Sequence, residues 1–143
     1  MQTFLEAVAS HARQHPDRIA FSDPAGTLTR AGLLGDAARL AAQLPRQARV
    51  VGLLMPNGRE WAVAQLACLA SGRISVPLPT FFSPQQQSHI ARDAGVEIIL
   101  APPESLAGGR DGIPRMSVAL TGDGSAMADL PLGSADGFGT IIY

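Results

Sequence analysis

The chain has 143 residues, 46% of them apolar, and 11 basic side chains against 12 acidic ones give a formal net charge of -1. That length suits one domain, or one lobe of a larger one, and suffices to bury a core. Near-neutrality without basic clusters excludes an electrostatic nucleic-acid or anionic-membrane partner, and every basic residue is an arginine, so no lysine is present to act on a phosphate or an acyl intermediate.

The first ten residues carry Glu6 and no basic stretch, unlike a signal peptide. Thr3 with Glu6 three positions on forms a capping box. Phe4, Val8 and Ala12 with Leu5 and Ala9 then predict a helix over residues 4–14, stopped by Pro16. Ile19-Ala20-Phe21, the turn Asp23-Pro24-Ala25-Gly26 and Thr27-Leu28-Thr29 predict a small hairpin. Thr29 can cap a second helix whose Leu33, Ala37, Leu40, Ala41 and Leu44 share a face, ended by Pro45. Gly32 and Gly35 inside it each cost about 1 kcal/mol relative to Ala. Either they permit close helix packing or the helix starts late.

Residues 49–55 read as a buried strand, 59–71 as a helix closed by Gly72, and 74–78 as a further strand. In Pro56-Asn57-Gly58-Arg59-Glu60, Asn57 is expected as the N-cap with Glu60 three residues on. The helix is apolar almost all round, with Gln65 its one polar interruption before Ser71, so it is expected between the sheet and other structure. At twelve residues, the apolar run 61–72 is too short to span a bilayer. Cys68, the only cysteine, lies between Ala67 and Leu69 and reads as a small core thiol; without a disulfide partner it makes a cytoplasmic location the expectation.

Ser83, Pro84 and Gln86 supply a cap, a first helical position and a capping box for a helix ending at Asp93 or Ala94, before Gly95. Residues 96–100 form an apolar strand interrupted only by Glu97. Residues 101–114 read as loop, 115–121 as a candidate strand, 122–137 as a polar flexible stretch, and the final apolar run to Tyr143 as a last strand. Strands alternating with helices of about a dozen residues imply an α/β fold: a doubly wound, mostly parallel sheet with flanking helices, plus the small N-terminal hairpin.

Few residues suggest chemistry. His11, His15 and His89 are isolated, with no second ligand at metal spacing. Asp17, Asp23 and Asp93 fall at turns or helix ends, where solvated capping is expected. Gly122-Asp123-Gly124 resembles a phosphate-binding loop only superficially, since no clear helix start follows to present converging N–H groups, and a flexible turn is expected there. The turn after residues 49–55 has one glycine and cannot supply the Gly-x-Gly-x-x-Gly pyrophosphate cradle of a Rossmann-type oxidoreductase.

An ordered series of segments resembles the N-terminal part of the adenylate-forming (AMP-binding) superfamily of acyl-CoA synthetases and peptide-synthetase adenylation domains. His15-Pro16-Asp17-Arg18-Ile19-Ala20-Phe21 resembles its opening helix-to-strand junction. Leu28-Thr29 with Leu33 resembles its Leu-Thr-Tyr-x-Glu-Leu segment, and Val50 through Asn57 with Glu60 its strand-Pro-Asn-x-x-Glu element. Leu69-Ala70-Ser71-Gly72 followed by Val76-Pro77-Leu78 resembles its Leu-Lys-Ala-Gly-x-x-x-Val-Pro segment. Ser83-Pro84, His89 and Asp93-Ala94-Gly95 resemble the next helix, and residues 139–143 the strand before the family's Thr-Ser-Gly-Ser/Thr-Thr-Gly loop. Departures are local: Gly32 replaces the Glu, Arg30 replaces the Tyr, and Ala70-Ser71 stands where Lys-Ala is common.

The resemblance implies that residues 1–143 are a single partial domain ending just before the phosphate-binding loop. The complete protein would be an AMP-forming acid–thiol ligase, converting a carboxylate and ATP to an acyl-adenylate and then to an acyl thioester, with ATP, magnesium and coenzyme A as implied cofactors. The loop, the acidic and aromatic motifs and the lysine that do this chemistry in the family all lie beyond Tyr143. No catalytic, cofactor-binding or metal-binding residue is therefore carried over, and the isolated chain is expected to be inactive. The segment from Pro77 to Pro84 lacks the Tyr-Pro-x-x-Arg pattern of peptide-synthetase domains, which favours a fatty-acid or aryl-acid coenzyme A ligase. Expected partners are the rest of the ligase, its small carboxylate substrate and, through exposed apolar surface, a second copy of the chain. The alternative is a non-enzymatic interaction or scaffold module derived from the same lobe.

Overall fold

The computed structural model describes residues 4–107 and 111–131. Helix α1 (Phe4–Gln14) is followed by the antiparallel hairpin β1 (Ile19–Asp23) and β2 (Gly26–Thr29), and by α2 (Arg30–Gln43). Strand β3 (Val50–Leu53), helix α3 (Arg59–Ala70), strand β4 (Ile74–Pro77), helix α4 (Pro84–Asp93) and strand β5 (Ile98–Leu100) then alternate, and the two-residue β6 (Arg115–Met116) completes a four-stranded sheet. The strand order is β4-β3-β5-β6 and every pair is parallel.

Side chains alternate across the sheet, as a pleated strand requires. Val51, Leu53, Ile98 and Leu100 join α3 residues Val63, Ala64 and Ala67 in one core on the first face. Val76, Leu78 and Ile99 join α4 residues Ile90 and Ala91 in a second core on the other face. The sheet is thus covered on both faces, which is what its near-continuous apolar strands demand. Full burial of each such aliphatic side chain stabilises by roughly 1.5–3 kcal/mol. Gly52 faces the second core, and a Cβ there would meet Leu78 Cδ1 at 2.9 Å and Val96 Cγ1 at 3.1 Å.

Local signals account for most element ends. Ser83 Oγ accepts from Gln86 N–H at 3.1 Å, and Gln86 Oε1 accepts from Ser83 N–H at 2.8 Å, completing the expected capping box. Thr29 Oγ1 accepts from Gly32 N–H at 3.0 Å, so α2 starts early, and its glycines serve packing instead. A Cβ on Gly32 would lie 2.9 Å from the Gly122 carbonyl oxygen, and one on Gly35 would overlap that of Asp123. The lone Glu97 has a defined role: its Oε1 accepts from Arg49 N–H at 2.9 Å and Val50 N–H at 3.2 Å, holding the entrance of β3.

Several expectations are corrected. The N-cap of α3 is Gly58, not Asn57, and its side-chain cap comes from another element: Asp23 in the hairpin accepts from Arg59 N–H at 2.9 Å. Strand pairing in 115–121 stops at Met116, because the chain then turns away from the sheet toward α2. The stretch from Gly122 is not simply a flexible tract: Gly124–Asp129 is a short 3-10 helix lying on α2, and Leu130 is buried in the first core. Thr3 of the first capping box and the expected strand at 137–143 lie outside the described residues.

Candidate functional site

Strands β3 and β5 are neighbours, but their crossovers leave in opposite directions, to β4 through α3 and to β6 on the far side. In open α/β sheets, ligands bind outside the carboxyl ends of the strands at such a divide. A cleft of about 870 Å³ lies there, lined by Leu54 after β3, Ser83 and Ser88 and Arg92 of α4, Glu104, and Arg115 of β6.

Its inner wall is held by ionic and polar contacts. Arg115 donates from Nη1 to the Ser105 carbonyl at 2.8 Å, and its Nη2 stands 3.6 Å from Asp111 Oδ2. Asp111 also accepts from Ser88 Oγ at 3.1 Å and from Ile113 N–H at 3.1 Å. Arg115 Nε is buried and finds no acceptor among the described residues. Arg92 donates from Nε to the Ser88 carbonyl at 3.4 Å. Arg92 and Arg115 thus line the cleft together with Glu104, and Asp111 pairs with Arg115. The wall can seat a polar group; its one hydroxyl–carboxylate contact among those described, Ser88 with Asp111, is shared with Arg115, which holds the carboxylate in an ion pair. Sequence reasoning did not single out Arg92, Asp111 or Arg115, because only the fold brings α4, the 111–113 turn and β6 together.

The residues that the sequence did single out are scattered. His11, His15, His89, Asp17 and Asp93 are exposed, and no group of three His, Cys, Asp or Glu side chains among the described residues could hold a metal ion. Cys68 is buried in the core, which pushes its thiol up to about 12 and leaves it a protonated packing residue at neutral pH. Asp23 is not simply solvated. It accepts from Arg59 N–H and from Arg59 Nε at 3.1 Å, and also from Ala25 N–H and Gly26 N–H at 2.8 and 3.0 Å. The Arg59 backbone bond leads the contacts that lower its pKa.

The Gly122-Asp123-Gly124 turn has its anion built in. Asp36, buried in α2, accepts from Thr121 N–H at 3.1 Å, Thr121 Oγ1–H at 2.6 Å and Gly122 N–H at 3.0 Å, and it pairs with Arg39. Burial works to raise its pKa, but the donors from Thr121, Arg39 and Gly122 outweigh it and hold the carboxyl below its ordinary value. Successive N–H groups of this kind form an anion-binding concavity. Here a carboxylate of the same chain fills it, so these residues do not fit a nucleotide phosphate. The described residues also offer no set of carboxylates suited to the magnesium that accompanies one. No helix among them is long and apolar enough to cross a membrane.

Known proteins share this fold. Residues 8–133 match the model of the family described as AMP-binding enzyme. The phosphinothricin tripeptide synthetase PhsC of Streptomyces viridochromogenes is 33% identical over 136 residues, covering 91% of this chain and 12% of that protein. The nonribosomal peptide synthetase FmoA3, in its form bound to α-methyl-L-serine-AMP, superposes with a TM-score of 0.82 at 23% identity, covering 97% of this chain and 16% of that one. The O-succinylbenzoate coenzyme A synthetase MenE of Bacillus subtilis, in complex with AMP, superposes with a TM-score of 0.66 at 24% identity over 82% of this chain and 32% of that one. The described fold is that of the N-terminal lobe of adenylate-forming enzymes, and the chain spans only a small part of the length of these relatives. With a family match running almost from end to end, the chain belongs to the AMP-binding enzymes.

Proposed function

We propose that the chain is the N-terminal part of an adenylate-forming, acid-activating enzyme, and that the acid it helps to activate is an amino acid passed to a carrier-bound thiol. The observation that carries this reading is the family match over residues 8–133, on a sheet whose carboxyl edge is open. The amino-acid assignment is supported by relatives named as peptide synthases, including PhsC and the syringomycin synthase SyrB1 of Pseudomonas syringae pv. syringae. It replaces the coenzyme A ligase favoured from the sequence. One observation keeps that ligase as a second reading: the segment from Pro77 to Pro84 lacks the Tyr-Pro-x-x-Arg pattern.

In this reading ATP supplies the adenylyl group and the leaving pyrophosphate, and residues beyond Tyr143 bind it. The described residues contribute the sheet, the packed helices and one wall of the cleft. The remainder of the enzyme and the acid itself are its partners, and the isolated chain does not turn over.

ATP–pyrophosphate exchange tests this, run on the 143-residue chain and on the product of its reading frame extended past codon 143, with panels of amino acids and of fatty and aryl acids. Exchange is expected only from the extended protein and only with an amino acid. Exchange by the short chain would overturn the division of labour. A preference for fatty or aryl acids, with acyl-CoA formed, would select the ligase reading. A stop codon directly after Tyr143 would instead point to an interaction module.

A further inference from the structure

We propose that Asn57 deamidates in the folded chain, which makes the turn between β3 and α3 a site of covalent self-modification. Asn57 is the only asparagine in the sequence and is followed by Gly58, which has no Cβ to obstruct an approach to its own nitrogen. An asparagine that capped the helix would have its side chain tied to a backbone N–H. Here Asp23 takes that place, accepting from Arg59 N–H at 2.9 Å, and Asn57 is left exposed. Among the described residues, neither the Asn57 carboxamide nor the Gly58 N–H makes a hydrogen bond. Asp111 and Asp123 also precede glycines, but their carboxylates are engaged, the first by Ser88 and Ile113 and the second by Ser125. Asn57 is thus the residue whose side chain is idle beside an unengaged main-chain nitrogen.

The reaction needs water and no cofactor. The Gly58 nitrogen bonds to Asn57 Cγ, the carboxamide C–N bond breaks, and the amide nitrogen leaves as ammonia, carrying the proton that Gly58 gives up. The cyclic imide then adds one water at either of its carbonyls, which leaves an aspartyl or an isoaspartyl residue at position 57. Because both reacting groups belong to adjacent residues, closure has the advantage of an intramolecular step. Packing works against it: Gly58 is buried, and a Cβ there would lie 3.2 Å from Asp23 Oδ2. The isoaspartyl product runs the main chain through the side-chain methylene and so lengthens the link between β3 and α3. Arg59 follows directly, and both its N–H and its Nε bind Asp23, so the clasp between the hairpin and α3 loosens as the modification accumulates. The inference does not depend on the acid-activation reading, because the product is read on the chain itself.

Trypsin cuts after Arg49 and Arg59, and the peptide 50–59 contains Asn57 and no other side-chain amide, so its mass reports this site alone. The full chain is aged in mildly alkaline buffer, folded and in urea, with circular dichroism checking the fold, and the peptide is followed by mass spectrometry after chromatography that separates the aspartyl and isoaspartyl forms. The folded chain should gain the mass of an amide-to-acid exchange at a rate within about tenfold of the unfolded chain, a barrier difference below about 1.4 kcal/mol. Asn57→Gln should lose the modification, and in the aged chain the Arg59 amide should exchange faster. A peptide 50–59 that keeps its mass in the folded chain, or changes only in urea, would overturn the proposal. Arg59 exchange that is unaltered in modified protein would overturn the link to the Asp23 clasp.

Discussion

Asp36 and Thr121 are separated by 85 positions, yet Thr121 gives both its N–H and its hydroxyl to the one Asp36 carboxylate. That carboxylate is the joint by which the 121–130 segment is fastened to α2. The two glycines facing it, Gly32 and Gly35, make room for the backbone it holds.

Asp36→Ala leaves buried donors on Thr121 and Gly122 without an acceptor, which costs about 3 kcal/mol. Urea denaturation followed by circular dichroism should show a lower midpoint. Native-state amide exchange should quicken first in residues 121–130. Gly35→Ala should loosen the same segment, although alanine favours a helix by about 1 kcal/mol in isolation, because the added methyl overlaps the Asp123 carbonyl. A stabilised Gly35→Ala variant would contradict the close approach.

Acid should release this joint. The folded pKa values of Asp36, Asp23 and Asp123 all lie below the ordinary 3.8. Each contributes stability that is present above that value and is lost as pH falls through the folded one. Stability should therefore be flat from neutrality down to about pH 5 and fall steeply below about pH 4. Asp36→Asn should be less stable at neutral pH and should show a shallower acid limb. An unchanged acid limb in this variant would remove Asp36 as a contributor.

The Cys68 thiol should resist modification. It is 1% exposed, and its pKa of about 12 leaves almost no thiolate at pH 8. Labelling with an aromatic disulfide reagent should proceed no faster than the protein opens, and should become immediate in denaturant. Rapid labelling of the native chain would place the thiol nearer the surface than the fold allows.

Asp23→Ala should uncouple the hairpin from the helix it caps. The loss is expected as faster exchange of the Arg59 and Gly26 amides and a lower melting temperature, since one carboxylate serves both groups. Asp23→Asn keeps an acceptor and should fall between the two. If Asp23→Ala leaves Arg59 exchange unaltered, α3 does not depend on this cap.

What the chain disclosed in advance follows the range of the forces involved. The capping box of Ser83 and Gln86 spans three positions and was legible, as was the stop at Gly95, whose φ of +73° suits a residue without a Cβ. The doubly wound sheet followed from apolar runs alternating with helical ones. Asn57 misled because local pattern assumes that a helix is capped by its own sequence, whereas Asp23 arrives from 36 positions away. Asp36 gave no signal, since an aspartate in the middle of a helix reads as a solvated residue until its partners are known. The cleft wall of Arg92, Asp111 and Arg115 was invisible for the same reason. The lean toward a coenzyme A ligase rested on one missing loop pattern, whereas the family itself was carried by an ordered series of segments across most of the chain.

The self-filled turn at Gly122 has a consequence for how the protein meets its surroundings. A loop that recruits phosphate is only as firm as the supply of phosphate, and it slackens when the ligand leaves. Asp36 is covalently part of the chain, so its effective concentration at the turn never falls. The 121–130 segment should hold the same conformation against α2 in phosphate buffer, in nucleotide and in neither.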